Sequence, residues 1–239
     1  MPESQDAGSQ QITRVLAIRH GETEWNVDGR IQGQLNIPLN HTGRWQAHRL
    51  ALAVAEEGVD AIYSSDLLRA LETAQAVASG CVQDIVTDAG LRERGFGEFE
   101  GLTFKEIEQR WPEQSERWRK RDPLFGPERG ETLADFSDRS VSTVTRLASA
   151  HPGQTIAVVA HGGVLDCLYR AATRLSLQAP RSWQLGNASI NRLLYTPQGF
   201  TLVGWSDTWH LEDPSLDEAS DGETGPEVGG KPVAADRSA

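Results

Sequence analysis

The 239 residues carry 23 Lys and Arg against 34 Asp and Glu, a formal charge of −11, and an acidic chain without a basic block is a poor match for nucleic acid. Cys81 and Cys167 are too few for a disulfide scaffold or a thiolate metal site. No apolar run approaches a membrane span, and the polar start, Met1 to Gln11, lacks a signal-peptide core, so a soluble cytoplasmic protein that binds no membrane is expected.

Residues 1–12 read as a disordered leader. Val15-Leu16-Ala17-Ile18 is a short apolar run with two β-branched members, suited to a strand buried on both faces, and it passes directly into Arg19-His20-Gly21. Gly29 to Gly33 and Pro38 mark a loop. Thr42 can cap a helix over 43–57 whose buried face is Ala47, Leu50, Ala51 and Val54. Asp60 to Ser64 is a second strand. Ser65 or Asp66 then caps a helix to about Ala78, burying Leu67, Ala70, Leu71, Ala74 and Val77. A short strand falls near 84–87. Strands alternating with helices predict a mostly parallel sheet flanked by helices, an α/β three-layer sandwich.

From Leu91 to Arg139 the periodicity weakens. Trp111, Trp118, three prolines and the basic run Arg117 to Arg121 predict an insertion of short helices and loops roofing an active site. A helix near 131–149 leads to the buried strand Thr155 to Ala160, which ends in His161-Gly162-Gly163 before a helix from about Val164. Strands at 190–196 and 201–204 close the body, a catalytic domain over 13–211. Residues 212–239 hold eight acids against Lys231 and Arg237 and read as an acidic disordered tail.

Two buried strands therefore each end in His-Gly, and parallel strands place both imidazoles at one sheet edge, the carboxyl edge where α/β sheets bind ligands. Arg19 supplies a planar fork of donors for phosphate, and histidine can serve as nucleophile or proton carrier. Arg69 falls in the first turn of its helix, where the macrodipole disfavours a cation by up to about 1 kcal/mol. A local Asp66–Arg69 pair would account for it, and so would an anion docked at the helix start. Arg19, Arg69, His20 and His161 around one point form a phosphate pocket. A phosphoryl reaction also needs a proton donor. Glu93, in a glycine-flexed loop after a strand, is the leading candidate, with Glu22, Glu98 and Glu100 as rivals. Gly225 to Lys231 spells a phosphate-loop pattern, but Pro232 replaces Ser/Thr and no strand precedes it. His41 and His48 lack carboxylate or cysteine partners and read as surface residues rather than metal ligands.

Arg19-His20-Gly21-Glu22-Thr23 with Trp25-Asn26, Ser64-Ser65-Asp66-Leu67-Leu68-Arg69-Ala70, Leu91-Arg92-Glu93-Arg94 and Ala160-His161-Gly162-Gly163 occur in that order. Over roughly Thr13 to Trp209 the chain resembles the histidine phosphatase superfamily, in its phosphoglycerate-mutase-like branch. The resemblance implies that His20 is a nucleophile forming a phosphohistidine. It implies that Arg19, Arg69 and His161 hold the phosphoryl group and that Glu93 is the proton donor. Thr23, Asn26, Gln32, Gly33 and Gly162 fall where the family contacts phosphate or substrate. No metal and no cofactor is implied, because side-chain cations carry the charge stabilisation.

Against the mutases of that branch, only Asp122 to Arg129 separates Arg121 from Gly130. Phe104 stands where the mutases carry lysine, and Gly163 follows His161-Gly162 in place of Asn. Phe96 to Gly101 and Asn187 to Ile190 resemble the phosphatases. A metal-independent phosphomonoesterase acting on a small phosphorylated metabolite is the expectation. A bisphosphoglycerate-dependent mutase and a non-catalytic phospholigand-binding protein are the alternatives. A homodimer is compatible with all three.

Overall fold

The structure is a computed structural model that describes residues 12–212. The expected leader and acidic tail lie outside them, apart from Ile12 and Glu212. Strands β1 (Thr13–Arg19), β2 (Ala61–Ser64), β3 (Ile85–Thr87) and β4 (Thr155–Ala160) run parallel, while β5 (Ile190–Thr196) and β6 (Gly199–Asp207) are antiparallel to their neighbours. They form one six-stranded sheet in the order β3-β2-β4-β1-β5-β6. The central strands β1 and β4 are apolar on both faces because both faces are covered.

The segment after β1 holds one short helix, α1 (Glu24–Val27), before the long helices α2 (His41–Ala55) and α3 (Leu68–Cys81). Leu16 and Ile18 of β1 pack with Leu50 and Val54 of α2 and with Ala70, Ala74 and Val77 of α3. On the opposite face Val15 and Ala17 pack against helices 133–149 and 162–173. The alternation along β1 thus divides the core into two apolar layers around the sheet, the expected three-layer sandwich.

Helix starts depart from the sequence reading. Asn40, not Thr42, caps α2, its side chain accepting from Gly43 N at 2.7 Å. Close approach fixes that start, since a Cβ on Gly43 would stand 2.0 Å from Glu22 O. Neither Ser65 nor Asp66 caps α3, which begins at Leu68 with no side-chain cap. Asp66 is held instead by Arg92, with bonds of 2.7 and 2.5 Å. Leu71 is only half-buried, and Thr73 takes a place in the buried face.

The expected insertion contains α4 (Phe104–Arg110) and α5 (Pro112–Arg119). It has its own small core of Phe99, Ile107 and Phe125, with Trp111 and Trp118 against them. Buried Arg94 donates to the carbonyls of Glu131 and Phe125, tying the loop after β3 to the approach to α6 (Leu133–Ser149). Arg121 donates to Asp166 at 2.7 Å and fastens the insertion to α7 (Gly162–Thr173), which starts two residues earlier than expected. Among the described residues no helix is long and apolar enough to cross a membrane.

Candidate active site

The register of the central strands builds the site. Arg19 lies opposite Ala160 in the β1–β4 pair, so the next residues, His20 and His161, leave the sheet side by side. Their ring centroids are 5.2 Å apart, and His20 and His161 are 3% and 0% exposed. His20 Nδ1 lies 2.7 Å from Gly21 O. A carbonyl oxygen can only accept, so Nδ1 carries the proton and Nε2 presents its lone pair, the form required of a nucleophile. Burial, then the cations of Arg69 and Arg19, push His20 well below the ordinary imidazole value of 6.5. Burial, then Arg69, His20 and Arg19, do the same to His161. Both shifts favour the neutral imidazole.

The two arginines are only partly satisfied. Arg19 Nη1 donates to Leu185 O at 2.5 Å, and Arg69 donates to Leu35 O at 2.9 Å and Gly33 O at 2.8 Å. Their Nε atoms are buried with no partner among the described residues. Burial pulls each guanidinium down to about 10, which leaves both charged at neutral pH. Asp66 is occupied by Arg92, so the local pair that would have explained Arg69 does not form. Buried, charged donors without acceptors are costly, and an oxyanion between them would remove that cost.

Glu93 joins this group. Its Oε1 accepts from Arg94 N at 2.8 Å and its Oε2 from Gly163 N at 2.9 Å, in the first turn of α7. Its charge is felt by both Arg19 and Arg69. Two of the rivals are occupied elsewhere: Glu22 accepts from Asn40 Nδ2, and Glu100 accepts from Gln34 N and Phe96 N.

Gly163 makes room for that carboxylate, since a Cβ there would stand 2.1 Å from Glu93 Oε1. Gly163→Ala should therefore displace Glu93 and lower kcat on the order of 10²-fold, the cost of roughly 1 Å of misplacement. The same Cβ would stand 3.0 Å from Phe136 Cε1, so turnover is compared at a temperature where circular dichroism shows the variant folded. Unchanged turnover in steady-state assays would show that Glu93 does not depend on this position.

The remaining sequence candidates lie around the group in different ways. Gly162 opens α7 beside Arg19, whose Nε is 3.6 Å from the position a Cβ would take. Gly33 offers its carbonyl to Arg69, and neighbouring Gln32 is buried with its Oε1 unpartnered among the described residues. Thr23 is fully buried and caps α1, its hydroxyl given to Asn26 Oδ1 at 3.0 Å. Asn26 Oδ1 also accepts from Asn187 Nδ2 at 3.3 Å, so this pair anchors the loop before β5.

In the sequence that loop shows only the resemblance of Asn187 to Ile190 to the phosphatases. Asn187 Nδ2 and Ala188 N donate to His20 O at 3.1 and 3.2 Å, and Ala188 adopts a φ of 54° to do so. With Leu185 O on Arg19, the 185–188 backbone orients both Arg19 and His20. Ser65, expected as a helix cap within the Ser64 to Ala70 block and given no site role, lies 2.8 Å from His161 Nε2. Beside Glu93 opens a cavity of about 160 Å³, lined among others by Arg94, Phe96, Trp118 and Phe136. The insertion roofs it through Trp118 and Arg121.

Residues 15–208 match the sequence profile of the histidine phosphatase superfamily, branch 1. The chain belongs to this superfamily. Among its relatives is a metal-independent phosphoserine phosphatase of Arabidopsis thaliana, 37% identical over 220 residues, 90% of this chain and 91% of that protein. Phosphoglycerate mutase-like protein 4 of the same plant is 37% identical over 218 residues, 89% of this chain and 94% of that protein. A solved phosphoserine phosphatase of Entamoeba histolytica, in complex with 3-phosphoglyceric acid, superposes with a TM-score of 0.76 at 30% identity. The superposition covers 84% of this histidine phosphatase superfamily member and all of that chain, 100%.

Proposed function

We propose that the protein is a metal-independent phosphatase in which residues 13–211 form the catalytic unit. It moves a phosphoryl group from a small phosphorylated metabolite to His20 Nε2 and then to water. The observation that carries this reading is the arrangement of His20, its Nε2 lone pair freed by the Nδ1 bond to Gly21 O, beside two arginines whose Nε atoms lack acceptors among the described residues. His20 Nε2 attacks phosphorus as the bond to the leaving oxygen breaks. Arg19, Arg69 and His161 hold the three equatorial oxygens. Glu93, which takes up a proton as the phosphate ester binds, gives it to the departing oxygen, then takes one from the water that attacks the phosphohistidine as its N–P bond breaks. The leaving group occupies the 160 Å³ cavity, a volume suited to a compact metabolite. A phosphorylated amino acid or glycerate fits this reading, in keeping with the names of the relatives, and the cytoplasm is the compartment expected for such a substrate.

Two arginine cations supply the positive charge that a metal provides in other phosphatases, and His161 adds a hydrogen-bond donor. Phosphate release from a panel of small phosphate esters should therefore survive exhaustive EDTA treatment with less than about a twofold change in rate. Loss of activity on chelation, restored by a divalent ion, would overturn the metal-free mechanism. The similarity to a mutase-like protein supports a second reading, transfer to another substrate hydroxyl. The same assay with phosphoglycerates separates the two, because hydrolysis releases inorganic phosphate and a mutase returns an isomer.

A further inference from the structure

His161 lies between two strand ends, with Ser65 after β2 on one side and His20 after β1 on the other. Ser65 Oγ is 2.8 Å from His161 Nε2, and both residues are fully buried. The direction of this bond follows from the hydroxyl's other commitment. Ser65 Oγ already accepts from Leu67 N at 3.2 Å, while the neighbouring Ser64 hydroxyl donates to Ser65 O. A serine hydroxyl has one proton to give, and among the described residues His161 Nε2 is the acceptor within its reach. In the reverse arrangement Nε2–H would donate to Ser65, leaving the serine proton buried without an acceptor. It would also turn the lone pair of Nδ1, which has no partner among the described residues, toward any bound anion. Each of those losses is penalised in a buried site.

We propose that Ser65 is a positioning residue: its hydroxyl proton, given to His161 Nε2, holds His161 in the Nδ1–H form and makes Nδ1 the donor to a bound phosphoryl oxygen. The donor role rests on the proposed phosphatase reading; the tautomer does not. Ser65 also joins three elements, because it follows β2, holds Leu67 N at the start of α3 and bonds the histidine that follows β4. Arg69, in the first turn of α3, is thereby set in register with His161.

The test is long-range ¹H–¹⁵N NMR of the full chain labelled at histidine, with His161 assigned by comparison with His161→Gln, at neutral pH with and without inorganic phosphate. The expected wild-type result is a proton on Nδ1 and a lone pair on Nε2. Ser65→Ala should shift the ring toward the Nε2–H form and lower kcat/KM for p-nitrophenyl phosphate by roughly 3- to 10-fold, the worth of one buried hydrogen bond. Ser65→Thr, which keeps the hydroxyl, should restore the tautomer and most of the rate. An Nε2–H wild-type ring would overturn the proposal even if the variants failed to fold. So would a Ser65→Ala protein that kept both the Nδ1–H form and the full rate. An Nδ1–H ring in a chain that releases phosphate from no ester would support the tautomer and count against the phosphatase reading.

Discussion

His20→Ala is expected to reduce turnover of every phosphate ester by more than about 10⁴-fold, as removal of a catalytic nucleophile does in other enzymes that form covalent intermediates. Among the described residues its neighbours His161 and Glu93 are held by other bonds: His161 Nε2 is engaged with Ser65, and the Glu93 carboxylate is held by two backbone N–H groups. Binding should survive the substitution, because Arg19 and Arg69 take their positions from Leu185 O, Leu35 O and Gly33 O, not from His20. Inhibitory phosphate measured by calorimetry should thus bind the variant within roughly tenfold of the wild type, since the arginine contacts dominate affinity for the anion. A variant that keeps measurable turnover would place the nucleophile elsewhere.

Glu93→Gln should cost about 10²–10⁴-fold on an alkyl phosphate, the usual worth of a general acid–base. With p-nitrophenyl phosphate the leaving group barely needs a proton, so the first step should suffer much less. Activation of water is still lost, and phosphoenzyme should accumulate as an initial burst in rapid-quench experiments. Glutamine also keeps an oxygen able to accept from Gly163 N or Arg94 N, so the loop around it should hold its shape. Equal losses on both substrates without a burst would remove the proton-transfer role from Glu93. Glu22 would then be the next residue to test, although its carboxylate is presently bonded to Asn40.

The two histidines at one sheet edge could be read from the sequence because strand burial, strand direction and the His-Gly ends are all local signals. Arg69 was readable for a similar reason, as a cation in the first turn of a helix, but its neighbour was not. Asp66 could have paired locally, and only the fold brings Arg92, 26 positions away, to take it. The choice among four glutamates was likewise beyond local pattern. Glu100 is removed from contention by Gln34 N, 66 positions away, and Glu93 gains Gly163 N from 70 positions away. Asn40 and Thr42 are both competent caps. Asn40 prevails because Gly43 must pass close to Glu22 for α2 to reach the sheet. The 185–188 loop carries no chemical side chain beyond Asn187. It acts through Leu185 O on Arg19, and through Ala188 N and the Asn187 amide on His20, some 166 positions earlier, which no sequence spacing announces.

The central claim is that phosphate passes through His20 on its way to water. Quenching the enzyme within the first turnover on radiolabelled substrate and mapping the label by mass spectrometry tests it most directly. The account predicts an acid-labile, base-stable phosphoryl group on the peptide containing His20, formed at least as fast as the steady-state rate and strongly enriched in Glu93→Gln. Label on any other residue, or substrate hydrolysed at full rate with no labelled enzyme at any time, would contradict it.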